Sequence, residues 1–340
     1  MADIIIMSPA ATKKEIDTVI KKIKSHGFDI NYSKGTEKTI IGLIGDTRGV
    51  PDEVFKVLPG VANVISILKE YKLASREFRP SDTIINVGKI QIGGKNLTII
   101  AGPCSIESKQ QLLKTAGAIQ AAGAKILRGG AFKPRTSPYS FDGLGFEGLQ
   151  ILREAKRKFN IPVITEVLSP EEVDGVLEIA DILQIGTRNM FNYRLLQKVG
   201  RVRKPVLLKR AFSATISEFL SCTEYILKGG NNEVILCERG IRTFDTHFTR
   251  NTLDLSAVPV LKKETHLPVF VDPSHGTGRR DLILPMSKAA IAAGADGLII
   301  EVHPKPEEAL SDGLQSLTIE MFTSFMEEIK PVVRAMDKKL

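Results

Sequence analysis

The sequence predicts an α/β protein, a (β/α)8 TIM barrel preceded by a small βαββαβ domain. Three observations carry this expectation. From residue 97 onward, eight short apolar runs alternate with helical stretches. Those runs are continuously apolar, as in a parallel sheet covered on both faces. The first 75 residues follow a different order, and 340 residues are more than one ordinary core usually holds.

The elements follow in chain order. "DIIIMS" reads as a strand bounded by Ser8-Pro9. Thr12 caps a helix whose apolar stripe is Ile16, Val19, Ile20 and Ile23, and His26-Gly27 ends it. "FDINYS" and "KTIIGLIG" are strands around Lys34-Gly35. "PDEVFKVLPG" is a short helix closed by Pro59-Gly60, and "VANVISILKEY" is a last strand. The order is that of a ferredoxin-like split βαβ unit, which has no single function. Residues 1–75 are therefore expected to form one domain, joined through "YKLASREFRPSD" to a barrel domain over 76–340. "IINVGKIQIGGKN" suggests a hairpin ahead of the barrel. The barrel strands are "LTIIAG", "AKILRG", "PVITEV", "DILQIG", "PVLLKR", "EVILCE", "PVFVDP" and "GLIIEV". Eight repeats over about 245 residues suit a (β/α)8 barrel. A doubly wound open sheet is the alternative, but its usual G-x-G-x-x-G turn after the first strand is not what "AGPCSIES" offers.

Composition narrows the function. Hydrophobic content of 43% and charged content of 25% are those of an ordinary globular protein. No window reaches the length of a membrane span, and the N-terminus has no signal-peptide pattern. Three cysteines without framework spacing fit a reducing cytoplasm. The net charge of +8 is spread along the chain, +2 in the first 75 residues and +6 in the rest. There is no basic arm or recognised module for nucleic acid.

Barrel active sites lie at the C-terminal ends of the strands. Those ends carry, in order, Cys104, Arg128, Glu166, Arg188, Lys209, Arg239, His275 and Glu301. Arg128, Lys133, Arg135, Arg188, Lys209 and Arg239 would converge on one mouth and repel one another unless anions bind there. Guanidinium forks suit phosphate and carboxylate, so two phosphorylated substrates, or one phosphate plus carboxylates, are expected. In "RGGAFKPRTSPYSF", Arg135, Thr136 and Ser137 read as a phosphate cradle stiffened by Pro134 and Pro138. Cys104, His275 and Glu301, with Asp312 in "EEALSDGLQ", form a mixed soft and hard donor set suited to Mn, Fe, Co or Zn. His303 is a candidate partner for Glu301. Cys222 and Cys237 read as packing residues.

"AGPCSIES", "LRGGAFKPRTSPYSFDGLG", "QIGTRN", "LLKR", "CERGIRTF", "VDPSHGTGRRD" and "EVHPKPEEALSDGLQSL" occur in this order. Together they closely resemble the 3-deoxy-D-arabino-heptulosonate 7-phosphate (DAHP) synthases, in the branch with an N-terminal ferredoxin-like regulatory domain. The resemblance covers essentially the whole chain. It implies metal ligands Cys104, His275, Glu301 and Asp312. It implies that Arg128, Lys133, Arg188, Lys209 and Arg239 hold phosphoenolpyruvate, and that Pro134, Arg135, Thr136 and Ser137 hold erythrose 4-phosphate. Lys133, between the two sites by motif, is the expected proton donor, and Glu166 is a candidate for positioning water. The resemblance further implies a homo-oligomer, a tetramer, and feedback by tyrosine or phenylalanine near Ser33. Asn31, two residues before Ser33, departs from the histidine expected there. Two alternatives are a 3-deoxy-octulosonate 8-phosphate synthase, whose loop resembles K-A-N-R-S-S where this chain has Lys133-Pro134-Arg135-Thr136-Ser137, and a non-catalytic barrel sensing a phosphometabolite.

Overall fold

A computed structural model describes residues 3–35, 38–47, 50–65, 70–134, 137, 139–245 and 247–340. The chain divides into two compact units, Met1–Lys72 and Leu73–Leu340.

In the smaller unit, β1 (Ile4–Met7), α1 (Lys13–Ser25), β2 (Asp29–Lys34), β3 (Thr39–Ile44), α2 (Glu53–Lys56) and β4 (Val61–Ile65) follow the expected βαββαβ order. The antiparallel sheet runs β2-β3-β1-β4. Thr12 caps α1 in a reciprocal box with Glu15. The helix "PDEVFKVLPG" is cut to one turn, α2, around buried Phe55. Strand alternation sends Ile5, Met7, Ile41 and Val64 into a core with Val19, Ile23 and Phe55. The pairing register, with Asn31 opposite Gly42 and Ser33 opposite Ile40, places Asn31 and Ser33 on the other face of the sheet. There Ile40, Ile44 and Ile65 are exposed.

In the larger unit, a hairpin of β5 (Ile85–Val87) and β6 (Ile90–Ile92) precedes eight strands. These are β7 (Thr98–Gly102), β8 (Ile126–Arg128), β9 (Val163–Val167), β10 (Ile182–Ile185), β11 (Val206–Lys209), β12 (Val234–Glu238), β13 (Val269–Val271) and β14 (Gly297–Glu301). They close as a parallel barrel, with Gly297 to Glu301 paired to Thr98 to Gly102. The connecting helices are α3 (Lys109–Ala121), α4 (Gly145–Phe159), α5 (Val173–Leu177), α6 (Tyr193–Val199), α7 (Ile216–Lys228), α8 (Ala257–Glu264), the short α9 (Pro273–Thr277) and α10 (Ile283–Ala292). After β14, α11 (Ile319–Ala335) completes the ring. One core cluster takes side chains from every barrel strand, among them Ile100, Ile164, Leu207, Phe270 and Ile299. Ile85, Val87 and Ile92 of the hairpin pack into the same cluster and close that end of the barrel. Polar chemistry is thereby left to the opposite, C-terminal end. Cys222 and Cys237 are buried packing residues, as expected. Among the described residues, no helix is long and apolar enough to cross a membrane.

His266 pins the segment that leads into the hairpin. Its Nδ1 lies 2.7 Å from Thr83 Oγ1 and its Nε2 2.8 Å from Leu73 O, which suits the neutral ring with hydrogen on Nε2. Burial lowers its pKa, opposed by the bond to Leu73. An unfolded histidine titrates at about 6.5. The stability His266 contributes should therefore be complete above that pH and should fall as pH drops from there through the lower folded-state pKa. In His266→Gln, which does not titrate, that part of the acid-side loss of melting temperature should vanish. A His266→Gln profile parallel to that of the parent would refute this.

Candidate active site

The C-terminal mouth of the barrel holds a cavity of about 410 Å³ lined by Arg128, Lys133, Glu166, Arg188, Lys209 and Arg239. Pro134, Ser137, His275 and Asp312 line it as well. The strands explain this convergence. Arg128 and Lys209 end β8 and β11, Arg239 follows β12, and Arg188 sits in a 3-10 turn just after β10. Arg135 and Thr136 lie outside the described residues.

Two glycines make the floor possible. A Cβ on Gly186 would sit 1.9 Å from Glu166 Oε1, so only glycine admits that carboxylate. Glu166 stays buried and accepts a hydrogen bond from Gln184 Nε2 at 3.2 Å. A Cβ on Gly130 would sit 2.7 Å from both Lys133 Cδ and the Cys104 carbonyl oxygen. The Lys133 stem thus lies across the backbone of Gly130. Burial works against charge on Lys133, but the negative groups around it, Glu166 and Glu301 among them, outweigh it and raise its pKa.

Cys104, His275, Glu301 and Asp312 come together, each offering a donor atom within 4.8 Å of the others. Cys104 Sγ donates to Asp312 Oδ2 at 3.0 Å and accepts from Ser311 Oγ at 3.1 Å. Burial and the charge of Glu301 push its thiol up to about 12, so without a cation it is a neutral donor. Burial lowers the His275 pKa and favours the neutral ring. Its Nδ1 lies 2.7 Å from Asp272 Oδ2, which holds hydrogen on Nδ1 and leaves Nε2 as the donor, 3.2 Å from Glu301 Oε1. Glu301 Oε2 accepts from Gln315 Nε2. Glu301 Oε1 is buried without a hydrogen bond, although Arg128 Nη1 stands 2.9 Å away. Asp312 adopts left-handed backbone, φ 53°, which an aspartate tolerates better than most residues. Despite its burial, His275, Arg250 and the Cys104 bond hold its carboxyl well below the usual range. A thiol, a neutral imidazole and two carboxylates fit a divalent transition metal.

The comparisons with known proteins bear on this arrangement. Residues 74–336 match the family model described as the DAHP synthetase I family. The chain belongs to that family. Residues 4–69 match the DAHP synthase ferredoxin-like domain. The phospho-2-dehydro-3-deoxyheptonate aldolase of Thermotoga maritima is 53% identical over 337 residues, 99% of each chain. The crystal structure of that enzyme, a DAHP synthase, covers 99% of this chain and 98% of its own at a TM-score of 0.96. A truncated form of the 3-deoxy-D-arabino-heptulosonate 7-phosphate synthase from the same organism covers 79% of this chain and 98% of its own, TM-score 0.74, again at 53% identity. The 2-dehydro-3-deoxyphosphooctonate aldolase of Geobacter sulfurreducens is 32% identical, covering 73% of this chain and 97% of its own. This chain is an enzyme of the DAHP synthase type, with the family's ferredoxin-like domain ahead of its barrel.

Several site residues of this DAHP synthase family member escaped the sequence reading. Asp272 is fully buried and joins Lys209 to His275. Its signal was present in "VDPSHG", because aspartate before proline is a helix-start pattern and Asp272 does cap α9. Gln184 is directly opposite Glu166 in the sheet register, which an apolar-run count passes over. Phe212, Arg242, Arg250 and Asn251 enter from loops. His303 corrects an expectation. Its Nε2 lies 3.3 Å from Glu107 Oε2 rather than against Glu301, since residues two apart on a strand path need not share a neighbour once the strand has ended.

Proposed function

We propose that this chain condenses phosphoenolpyruvate with erythrose 4-phosphate and water, giving 3-deoxy-D-arabino-heptulosonate 7-phosphate and phosphate, the first step of the shikimate pathway toward aromatic amino acids. The observation that carries the reading is the mouth itself, where a cluster of cations adjoins a four-donor metal site. Cys104, His275, Glu301 and Asp312 would hold a divalent ion of the Mn, Fe, Co or Zn class. When bound, the ion supplies Lewis acidity to the aldehyde carbonyl.

The chain's residues do the rest. Arg128, Lys133, Arg188, Lys209 and Arg239 hold the phosphate and carboxylate of phosphoenolpyruvate and offset its charge, so that a second phosphorylated molecule can approach. Pro134, Arg135, Thr136 and Ser137 seat the aldose phosphate. C3 of phosphoenolpyruvate forms a bond to the aldehyde carbon, and Lys133, held as an ammonium, gives a proton to the aldehyde oxygen. Water adds at C2, with Glu166 positioned to orient it, and the proton it releases returns to the Lys133 amine. The C2–O bond to phosphate then breaks as the C2 hydroxyl proton passes to the departing phosphate, leaving the ketone. The deciding assay follows phosphoenolpyruvate consumption with four- and five-carbon aldose phosphates. Preference for the five-carbon aldose would favour the octulosonate reaction named for the 32% relatives. No turnover with either would favour a sensing barrel.

We also read residues 1–75 as a feedback domain for tyrosine or phenylalanine, on a homo-oligomer, a tetramer, in the cytoplasm. Support comes from the open sheet face, where Asn31 and Ser33 lie beside exposed isoleucines, a surface of mixed polarity suited to an amino acid at a contact between copies. An effector inhibits only by preferring a state with an impaired mouth. A chain beginning at residue 76 should stay active and lose inhibition by tyrosine and phenylalanine, compared in titrations of both forms. Undiminished inhibition of the truncated form would move the sensor into the barrel.

A further inference from the structure

Phe212 stands on the loop that leaves β11, half-buried in the wall of the cavity. Three guanidinium groups surround its ring. The Cζ of Arg242 lies 4.3 Å from the ring centroid, that of Arg239 4.7 Å and that of Arg188 5.9 Å. The backbone fixes this gathering. The N–H of Arg242 donates to the carbonyl of Phe212 at 2.7 Å, and the N–H of Ala211 donates to Met190 Sδ at 3.1 Å, two residues beyond Arg188. The loop after β11 is thus tied to both segments that deliver the arginines.

Like charges at this spacing repel, and something must compensate for them before an anion arrives. A carboxylate would do so by occupying their N–H groups and would then compete with the substrate. An aromatic face attracts cations through its quadrupole and occupies no N–H group. Arg239 shows the consequence, because its Nη1 is buried yet makes no hydrogen bond. We propose that Phe212 is a positioning residue that gathers Arg188, Arg239 and Arg242 into one three-guanidinium site, and that Arg242 is a further ligand for the phosphate of phosphoenolpyruvate. This rests on the reading of the cavity given above.

The test compares Phe212→Leu, which keeps bulk and loses the quadrupole, with Phe212→Tyr, which keeps the ring. Calorimetry measures phosphoenolpyruvate binding without aldose and inorganic phosphate binding, and kinetics gives both KM values and kcat. Phe212→Leu should weaken both bound anions and raise KM for phosphoenolpyruvate roughly tenfold. The KM for the aldose phosphate and kcat should change much less, and Phe212→Tyr should stay near the parent. Arg242→Gln should shift the same constants, and adding it to Phe212→Leu should cost less than the product of the two. Parent-like anion binding in Phe212→Leu, or equal loss in Phe212→Tyr, overturns the proposal. So does parent-like anion binding in Arg242→Gln, or full multiplication in the double variant. Inorganic phosphate separates this from the functional reading. If the parent turns over no phosphoenolpyruvate, that reading fails, while the phosphate titrations still decide whether the ring builds an anion site.

Discussion

Replacing Cys104 with serine is expected to lower turnover by more than about a hundredfold. Residues that merely orient a metal ligand cost 10–100-fold when changed, so loss of a direct ligand should exceed that range. Cys104 is the soft donor of the four and sits buried against Asp312 and Ser311. Serine matches its shape closely but will not ionise there, whereas a thiol pushed up to about 12 can still be converted to thiolate by a divalent cation. The substitution should therefore separate metal loss from misfolding. Metal content after dialysis should fall while the melting temperature of the metal-free protein changes little. Chelation of the parent should abolish turnover, and Mn or another transition metal should restore it. Full activity in demonstrably metal-free protein would refute the metal's role in the proposed reaction.

How much of this was legible in the sequence follows from what each feature depends on. The barrel was legible because strands buried on both faces are continuous apolar runs, as in "PVITEV" and "GLIIEV". The mouth was legible because strand ends map to one rim, so Arg128, Lys209 and Glu301 could be brought together without knowing any loop. What failed depended on loop geometry or strand register. Asp272 carries a helix-cap signal, but its link between Lys209 and His275, 63 and three positions away, leaves no local pattern. Stacking of Phe212 by arginines from two other loop segments leaves no local pattern either. His303 shows the converse. Closeness in sequence to Glu301 makes it a candidate partner, and the path after β14 sets it beside Glu107 instead.

Asp272→Asn is expected to produce the other large effect, although Asp272 does not line the cavity. Its carboxylate takes the Lys209 ammonium, the His275 Nδ1–H at 2.7 Å and the His275 backbone N–H at 2.9 Å. Burial works against its charge, but His275 and Lys209 hold its carboxyl well below the usual range, so it is ionised around neutral pH. Asparagine has one acceptor oxygen where the carboxylate has two, of which Oδ2 takes both Lys209 and the His275 Nδ1–H and Oδ1 takes the His275 backbone N–H. If the amide oxygen stands at Oδ2, both side-chain partners are kept, and the amide hydrogens face the His275 backbone N–H. If it stands at Oδ1, the amide hydrogens face the Lys209 ammonium and His275 Nδ1, and the ring must move its hydrogen to Nε2, the atom needed as a donor. The second outcome should weaken metal binding by about 10–100-fold. Either one removes the counter-charge of buried Lys209, for which about 3–5 kcal/mol of stability is at stake. Metal affinity, measured with melting temperature on the same preparation, tells the two apart. Because Asp272 does not titrate in the working range, the loss should be similar from about pH 6 to pH 8, the range that surrounds an ordinary histidine pKa. Unchanged metal affinity together with unchanged stability would show that Asp272 does not support the His275 and Lys209 arrangement in the way the geometry requires.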